Sequence, residues 1–245
     1  STNQNDAPAS LPRVYLRWKS FSRPYFRQFA FSGSGVVASV SGTKISVKLA
    51  SIGGPVYYAT VIDGIPGPRF AVGKKDDSTP QIINIASGLS DSIHRVEIYR
   101  DNEVAEPISV FLGFFDGTIV KTSAPVANYN FEIIGDSLSV GYGILGVEYH
   151  PNDKNDPSLH CPRTNENTSW FHTYGAIAAR YFNAQVSTVA WSGWGISRGY
   201  GGAPDNLIPT IYSTLLGKWS DVSYSFSTTM DVILINLKGN DWVLN

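Results

Sequence analysis

The chain has 245 residues, 42% of them hydrophobic, enough for a sizeable core and for two domains of roughly 100–150 residues each. Only 16% of residues are charged and the formal net charge is −1, so no basic surface is available to neutralise phosphates and nucleic-acid binding is excluded as a main role. No apolar run is long enough to span a bilayer. The polar, proline-containing start, STNQNDAPASLP, carries no signal-peptide pattern and reads as a mature N-terminus after processing, so the expectation is a secreted protein.

Up to about residue 125 the chain is a series of short β-type runs. VVASV (36–40), KISVKL (44–49), VYYATVI (56–62), QIINIA (81–86), HRVEIYR (94–100) and ISVFLGF (108–114) are rich in β-branched and aromatic residues, and several alternate apolar with polar. Ser41-Gly42, Gly53-Gly54-Pro55, Asp63-Gly64, Ser87-Gly88 and Asp116-Gly117 supply turn signals between them. This spacing, with no helical period, predicts an all-β domain over 1–125: an antiparallel sandwich or jelly roll. A boundary falls near TSAPVAN (122–128).

Residues 126–245 have a different texture. NYNFEII (128–134) is an apolar strand that meets glycine rather than a hairpin turn. WFHTYGAIAARYF (170–182) has small and apolar residues at helical spacing, AQVSTVAW (184–191) is a second buried strand, and NLIPTIYSTLLGKW (206–219) holds a second helix. DVILINL (231–237) is a third strand, apolar almost throughout. Such strands alternating with helices predict an α/β domain with a parallel sheet covered on both faces. DVILINL belongs at its centre.

The chemistry gathers where these strands end. The first runs into Gly135-Asp136-Ser137, the second into Trp191-Ser192-Gly193 and the third into Lys238-Gly239-Asn240-Asp241. In open α/β sheets ligands bind beyond the carboxyl ends of the strands. A serine in a tight strand-to-helix turn exposes its oxygen, and its own N–H, a glycine N–H and an asparagine amide from neighbouring strands make a three-donor oxyanion hole. A serine after a strand also serves as a helix cap, and four letters alone do not separate the two roles. Asp136, next to the serine, is expected to brace the turn through backbone hydrogen bonds.

The ordered set of strand–GDSL, strand–Gly and strand–Asn-Asp resembles the GDSL, or SGNH, hydrolase superfamily. The preceding β-rich half, with FLGFFDG, IIGDSLSVGYG, NENTSWFHTYGAIAAR and VAWSGWG, resembles the acetylesterases of carbohydrate esterase family 2 over nearly the whole chain. The resemblance implies a jelly roll followed by an SGNH domain, Ser137 as nucleophile, and Ser137, Gly193 and Asn240 as oxyanion donors, with Asp136 and Asp241 in support. It also implies removal of O-acetyl groups from polysaccharide or oligosaccharide through an acetyl-enzyme, with no metal or organic cofactor. Lys238 departs from the family's Gly-x-Asn-Asp pattern.

The family's base is a histidine well beyond the Asn-Asp block, and this sequence ends four residues after Asp241. Its four histidines are His94, His150, His160 and His172. His94 and His172 read as structural. His150 and His160 flank the polar loop PNDKNDPSL, from which one of them could reach the serine as the less favoured alternative, and the Asp153 and Asp156 of that loop match no familiar metal spacing. The expectation is therefore that the catalytic histidine lies on a second polypeptide carrying the C-terminal part of the hydrolase domain. The single cysteine, Cys161, is then a free thiol or a link to that piece.

Trp194, Tyr200 and Trp242 lie close in sequence to the site blocks and are expected to offer flat faces to sugar rings, although large aromatics near strand ends are also core residues. Two alternatives stand beside the esterase. One is a carbohydrate-binding pseudoenzyme. The other is a lipolytic GDSL acyl hydrolase, which needs a long apolar acyl channel that is not visible in the sequence. Asn167-Thr168-Ser169 is an N-glycosylation triplet, which arises by chance as readily as by function.

Overall fold

The computed structural model describes residues 9–10, 15–17, 26–74, 77–103, 108–120, 127–146, 164–219, 222–226, 228–237 and 239–243. His150, Asp153, Asp156, His160, Cys161 and Lys238 lie outside the described residues. The first ten strands are β1 (Ala9–Ser10), β2 (Tyr15–Arg17), β3 (Phe26–Phe29), β4 (Gly35–Ile52), β5 (Val56–Ile62), β6 (Ile65–Pro66), β7 (Phe70–Val72), β8 (Gln81–Ser87), β9 (Ile93–Arg100) and β10 (Ile108–Ile119). Among the described residues they join in one antiparallel sheet built around β4, which pairs with β1, β8, β9 and β10.

A straight strand sends alternate side chains to opposite faces, so Val36, Ala38 and Val40 would point away from Ile45, Val47 and Leu49. All six are buried in one core with Phe29, Tyr58, Ile98 and Phe111. The parity changes around Gly42, at φ +136°, a conformation that a side chain would oppose. β4 bends there, pairing β9 before the bend and β8 after it, so the sheet folds over on its own core. Ser41-Gly42 is thus a bend inside one 18-residue strand and not a turn between two. Asp116-Gly117 likewise falls inside β10, among three register shifts against β4.

The remaining elements are β11 (Tyr129–Gly135), α1 (Ser137–Val140), α2 (Tyr174–Tyr181), β12 (Ala184–Ala190), α3 (Ile208–Tyr212), β13 (Val232–Asn236) and α4 (Gly239–Trp242). The strands form a parallel sheet in the order β12-β11-β13. On one face Phe131, Ile133 and Val186 pack with Trp170, Ala176 and Ala179, and with Ala59 and Val61 of the antiparallel sheet. On the other, Val189 packs with Phe31, Trp191, Trp194, Ile208 and Ile211.

The predicted helix over 170–182 is a 3₁₀ turn at Trp170–His172 followed by α2, because Thr173 takes an extended backbone and caps the Ala176 N–H. The one over 206–219 shortens to the five residues of α3 plus a 3₁₀ turn at Gly217–Trp219. β13, expected at the centre, lies at an edge among the described residues. Val232 and Leu234 pack against the first face, while Ile233 and Ile235 are exposed on the other.

Asp101, directly after β9, joins the two sheets. Its carboxylate is fully buried and accepts from Arg69 Nε (2.6 Å), Ser169 Oγ (2.9 Å) and the Phe171 N–H (2.8 Å), while its carbonyl accepts from the Trp170 N–H (2.7 Å). Arg69 lies against the Tyr57 ring and also donates to the Glu166 and Thr168 carbonyls. Removing the acceptor strands a half-covered guanidinium, a hydroxyl and an amide. Asp101→Ala is therefore expected to cost about 3–5 kcal/mol in denaturant unfolding; a loss under about 1 kcal/mol would mean the junction is held by apolar packing alone.

Candidate active site

The three parallel strands end level with one another. Gly135 pairs with Ala190 on one side and with Asn236 on the other, so the residues that follow each strand emerge along one edge of the sheet. They include Ser137, Gly193 and Asn240.

On β11 the strand turns into α1 at once. Asp136 is the N-cap, and its Oδ1 accepts the Leu138 N–H at 3.1 Å, while its carbonyl accepts from Ser139 and Val140. Burial pushes the Asp136 carboxyl up, against the pull of the Leu138 N–H and of its own N–H. The turn is too tight for a side chain at position 135, since a Cβ there would stand 1.9 Å from Ser139 Oγ. That hydroxyl is itself held by Tyr174 Oη at 2.8 Å. Gly141, in the left-handed conformation, closes the helix on the Ser137 carbonyl. Ser137 is left half-buried as the first helical residue, where its N–H has no intrahelical acceptor.

After β12 the chain runs through Trp191 and Ser192 to Gly193, which has φ +77°. Its carbonyl accepts the Tyr200 N–H at 2.8 Å, so the loop from 193 to 200 closes on itself. Among the described residues the N–H groups of Ser137 and Gly193 meet no acceptor.

After β13, α4 presents Asn240 and Asp241, both buried. An amide carries two N–H groups. Asn240 Nδ2 donates to the Trp194 carbonyl at 2.7 Å, which fixes the amide and leaves its second N–H for another acceptor. The Asp241 carboxylate accepts from the Ile196, Ser197 and Arg198 N–H groups and from Ser197 Oγ (2.7–3.2 Å), and its carbonyl accepts from Arg198 Nε at 2.6 Å. Burial pushes this carboxyl up, but the donors outweigh it and hold the group well below the usual carboxylate range. The blocks after β12 and β13 are thereby zipped together. Between them lies an open depression of about 290 Å³ lined by Ile196, Ser197, Arg198, Asp241 and Trp242.

The aromatic expectations divide. Tyr200 and Trp242 are 57% and 69% exposed, but Trp194 is only 4% exposed. Its ring packs with Phe31, Val189 and Ile211, and Lys218 Nζ lies 5.8 Å from its centroid. The role expected for Trp194 at a sugar face is corrected: it is core, because the turn at Gly193 directs the next side chain back under the sheet.

Neither described histidine bonds to Ser137. His94 is buried in β9, with Nδ1 2.6 Å from Asp63 Oδ2 and Nε2 2.9 Å from the Ser90 carbonyl. The hydrogen bonds from His94 to Asp63 and Ser90 raise its pKa, and both ring nitrogens are engaged within the antiparallel sheet. His172 is exposed, with Nδ1 2.8 Å from Ser169 Oγ.

Sequence reasoning missed Arg69, Asp101 and Glu103. The Glu103 carboxylate accepts the Ser192 N–H at 3.0 Å, one residue before Gly193. Asp101-Asn102-Glu103 reads as a polar turn after a strand, and no local pattern distinguishes it from a solvated one. All three residues are buried.

The model of the carbohydrate esterase 2 N-terminal region matches residues 19–125. Over 224 residues the chain is 34% identical to the cellulase/esterase CelE of Acetivibrio thermocellus, covering 91% of this chain and 26% of that protein. It is 29% identical over 178 residues to an acetylxylan esterase/glucomannan deacetylase of Cellvibrio japonicus, covering 68% of this chain and 47% of that protein. The chain thus spans less than half the length of these two relatives. A family two carbohydrate esterase from Clostridium thermocellum, solved in complex with cellohexaose, matches with a TM-score of 0.80 at 31% identity, covering 98% of this chain and 69% of that one.

The Asp241 brace sets a pH dependence. A carboxyl whose folded pKa is depressed adds stability that is fully present above its unfolded value, near 4, and is lost as pH falls below it. Asp241→Asn is expected to cost about 1–2 kcal/mol at pH 7, with the gap from the parent protein closing below about pH 4 in pH-dependent unfolding. A gap independent of pH would show that the carboxylate charge is not what holds the loop.

Proposed function

The chain belongs to carbohydrate esterase family 2, and on that footing we propose that it is a serine esterase that removes O-acetyl groups from carbohydrate. The observation that carries this reading is the level register of β11, β12 and β13, which brings the residues after each strand to one edge with the Asn240 amide already oriented. The folded-over sheet of β1–β10 is read as the jelly roll, and β11–β13 with their helices as part of an SGNH domain.

Ser137 Oγ attacks the acetyl carbonyl. The Ser137 and Gly193 N–H groups and the second Asn240 N–H receive the developing oxyanion, each donor contributing a few kcal/mol to the barrier. The C–O bond to the sugar breaks, the sugar oxygen takes a proton, and acetyl remains on Ser137. Water then releases acetate and restores the serine. The proton is carried by a histidine, since a serine hydroxyl is a poor nucleophile without a base. This histidine is proposed to come from polypeptide outside residues 1–245. Two observations support that source: both His94 ring nitrogens are engaged by Asp63 and Ser90, and the outer edge of β13 carries exposed Ile233 and Ile235, the kind of surface another element covers.

The substrate class follows the named activities of the relatives, acetylxylan and glucomannan deacetylation. Tyr200 and Trp242 are proposed to stack on sugar rings beside the depression, whose lining mixes the apolar Ile196 and Trp242 with Ser197, Arg198 and Asp241. The deacetylase activities named for the relatives argue against the lipolytic reading. Acetylated polysaccharide is met outside the cell, so the reading carries an extracellular location. No helix among the described residues is long and apolar enough to cross a membrane.

The test is acetate release from acetylated xylan and from a small aryl acetate by the full-length protein. Ser137→Ala is expected to lower kcat by at least three orders of magnitude with the fold intact, and Asn240→Ala by on the order of 100-fold with little change in KM. A parent protein that binds acetylated xylan but releases no acetate would establish the non-catalytic binder instead. His172→Gln is expected to stay within about threefold of the parent, because the base is another residue; a loss like that of Ser137→Ala would put the base on this chain.

A further inference from the structure

An oxyanion donor on a loop must have its peptide plane held in place before the reaction, because reorganisation during the reaction forfeits the gain. Gly193 lacks a side chain to anchor it and sits outside any strand or helix. The Tyr200 N–H holds its carbonyl side, so what fixes the preceding residue holds the peptide that carries its N–H.

We propose that Glu103 is a positioning residue for the oxyanion hole: by accepting the Ser192 N–H, its buried carboxylate sets the direction of the following peptide, whose N–H is that of Gly193. The inference rests on the esterase reading given above. Glu103 belongs to the segment that leaves β9 of the antiparallel sheet, 89 residues earlier than Ser192. At 6% exposure its carboxylate is costly to place there without a partner.

The same three-residue segment reaches the other side of the site. The Asp101 carboxylate and carbonyl hold Ser169, Trp170 and Phe171, and the Ser169 N–H donates to the Gly141 carbonyl (3.0 Å) at the end of α1. Asn102 Oδ1 accepts the Tyr57 N–H and its amide donates to the Asn165 carbonyl, pinning the segment at its middle. The nucleophile turn and the oxyanion loop are thus referred to one buried segment, 101–103, that leaves the antiparallel sheet. Arg100, wholly buried next to this segment, donates from Nε to the Asn102 carbonyl at 2.9 Å. Burial pushes the Glu103 carboxyl up, and the hydrogen bond from Ser192 opposes that shift.

The experiment compares Glu103→Ala, Glu103→Gln and Glu103→Asp in the full-length protein, by amide hydrogen exchange at Ser192 and Gly193 and by aryl acetate kinetics. Glutamine keeps an acceptor oxygen at the same reach. Aspartate keeps the charge but withdraws the oxygen by one methylene. Exchange at Ser192 is expected to quicken at least tenfold in the Ala and Asp variants and to stay near the parent in the Gln variant. In parallel, kcat should fall on the order of 10- to 100-fold in the first two with KM within about threefold, and recover in the third, since a misplacement of about 1 Å costs on that order. Unchanged Ser192 exchange in the Ala variant, an Asp variant that behaves like the parent, or equal kcat losses in all three would overturn the proposal. If Glu103→Ala does not fold, the Asp and Gln variants decide the matter. If the parent turns over no ester, the esterase reading fails, and the exchange measurement still decides whether Glu103 holds the loop.

Discussion

The buried carboxylate of Asp101 is the constraint to which the rest of the structure is tied. A carboxylate taken out of water costs several kcal/mol unless its lone pairs are filled, and here a guanidinium, a hydroxyl and an amide fill them. Satisfying one group fixes three separate stretches: the segment that leads to Arg69, the end of β9, and the residues from 166 to 171. The last of these meets the end of α1 through Ser169 and Gly141, and the turn after it through the Leu145 N–H and the Asn167 carbonyl. The antiparallel sheet therefore acts as a rigid support for the parallel one, and Trp170, buried between them with Nε1 on Thr188 Oγ1, fills the space that remains.

The parallel sheet contributes a second constraint, its polarity. Strands that run the same way and end in register leave all their following turns on one edge, so residues about fifty positions apart along the chain converge without any direct attraction. What keeps those turns in place is a small set of buried and part-buried hydrogen bonds: Asp136 to Leu138, Asn240 to Trp194, and Asp241 to the loop 196–198. Each uses a side chain to hold a backbone group. The arrangement is mostly backbone geometry held rigidly, and its energetic demand is fixity more than charge.

Charge has a correspondingly small part at this edge. A chain with 16% charged residues and a net charge of −1 offers little to steer an ion, and the residues exposed here include Ile196, Tyr200 and Trp242. Flat aromatic faces of this kind stack without needing charge. The exposed side of β13 has no such polar complement. Ile233 and Ile235 form an apolar strip along a sheet edge, a surface that native proteins ordinarily cover.

What the sequence determined by itself was local. Strand periodicity located the β runs, the apolar parallel strands announced the second sheet, and Gly-Asp-Ser, Trp-Ser-Gly and Gly-Asn-Asp marked the strand ends, because turn chemistry and alternation are written in neighbouring residues. Tertiary structure decided the rest. Ser41-Gly42 looks like any hairpin turn, and only packing of both halves of β4 on one core makes it a bend. Trp194 carries the same aromatic signal as Trp242, and only the direction of the chain after Gly193 buries one and exposes the other. Asp101 and Glu103 resemble solvated turn residues, since nothing near them in sequence reveals the partners 32 to 89 positions away that make their burial tolerable. Long-range hydrogen bonds to buried charges leave no local trace, because the cost of burial and its compensation are carried by different parts of the chain.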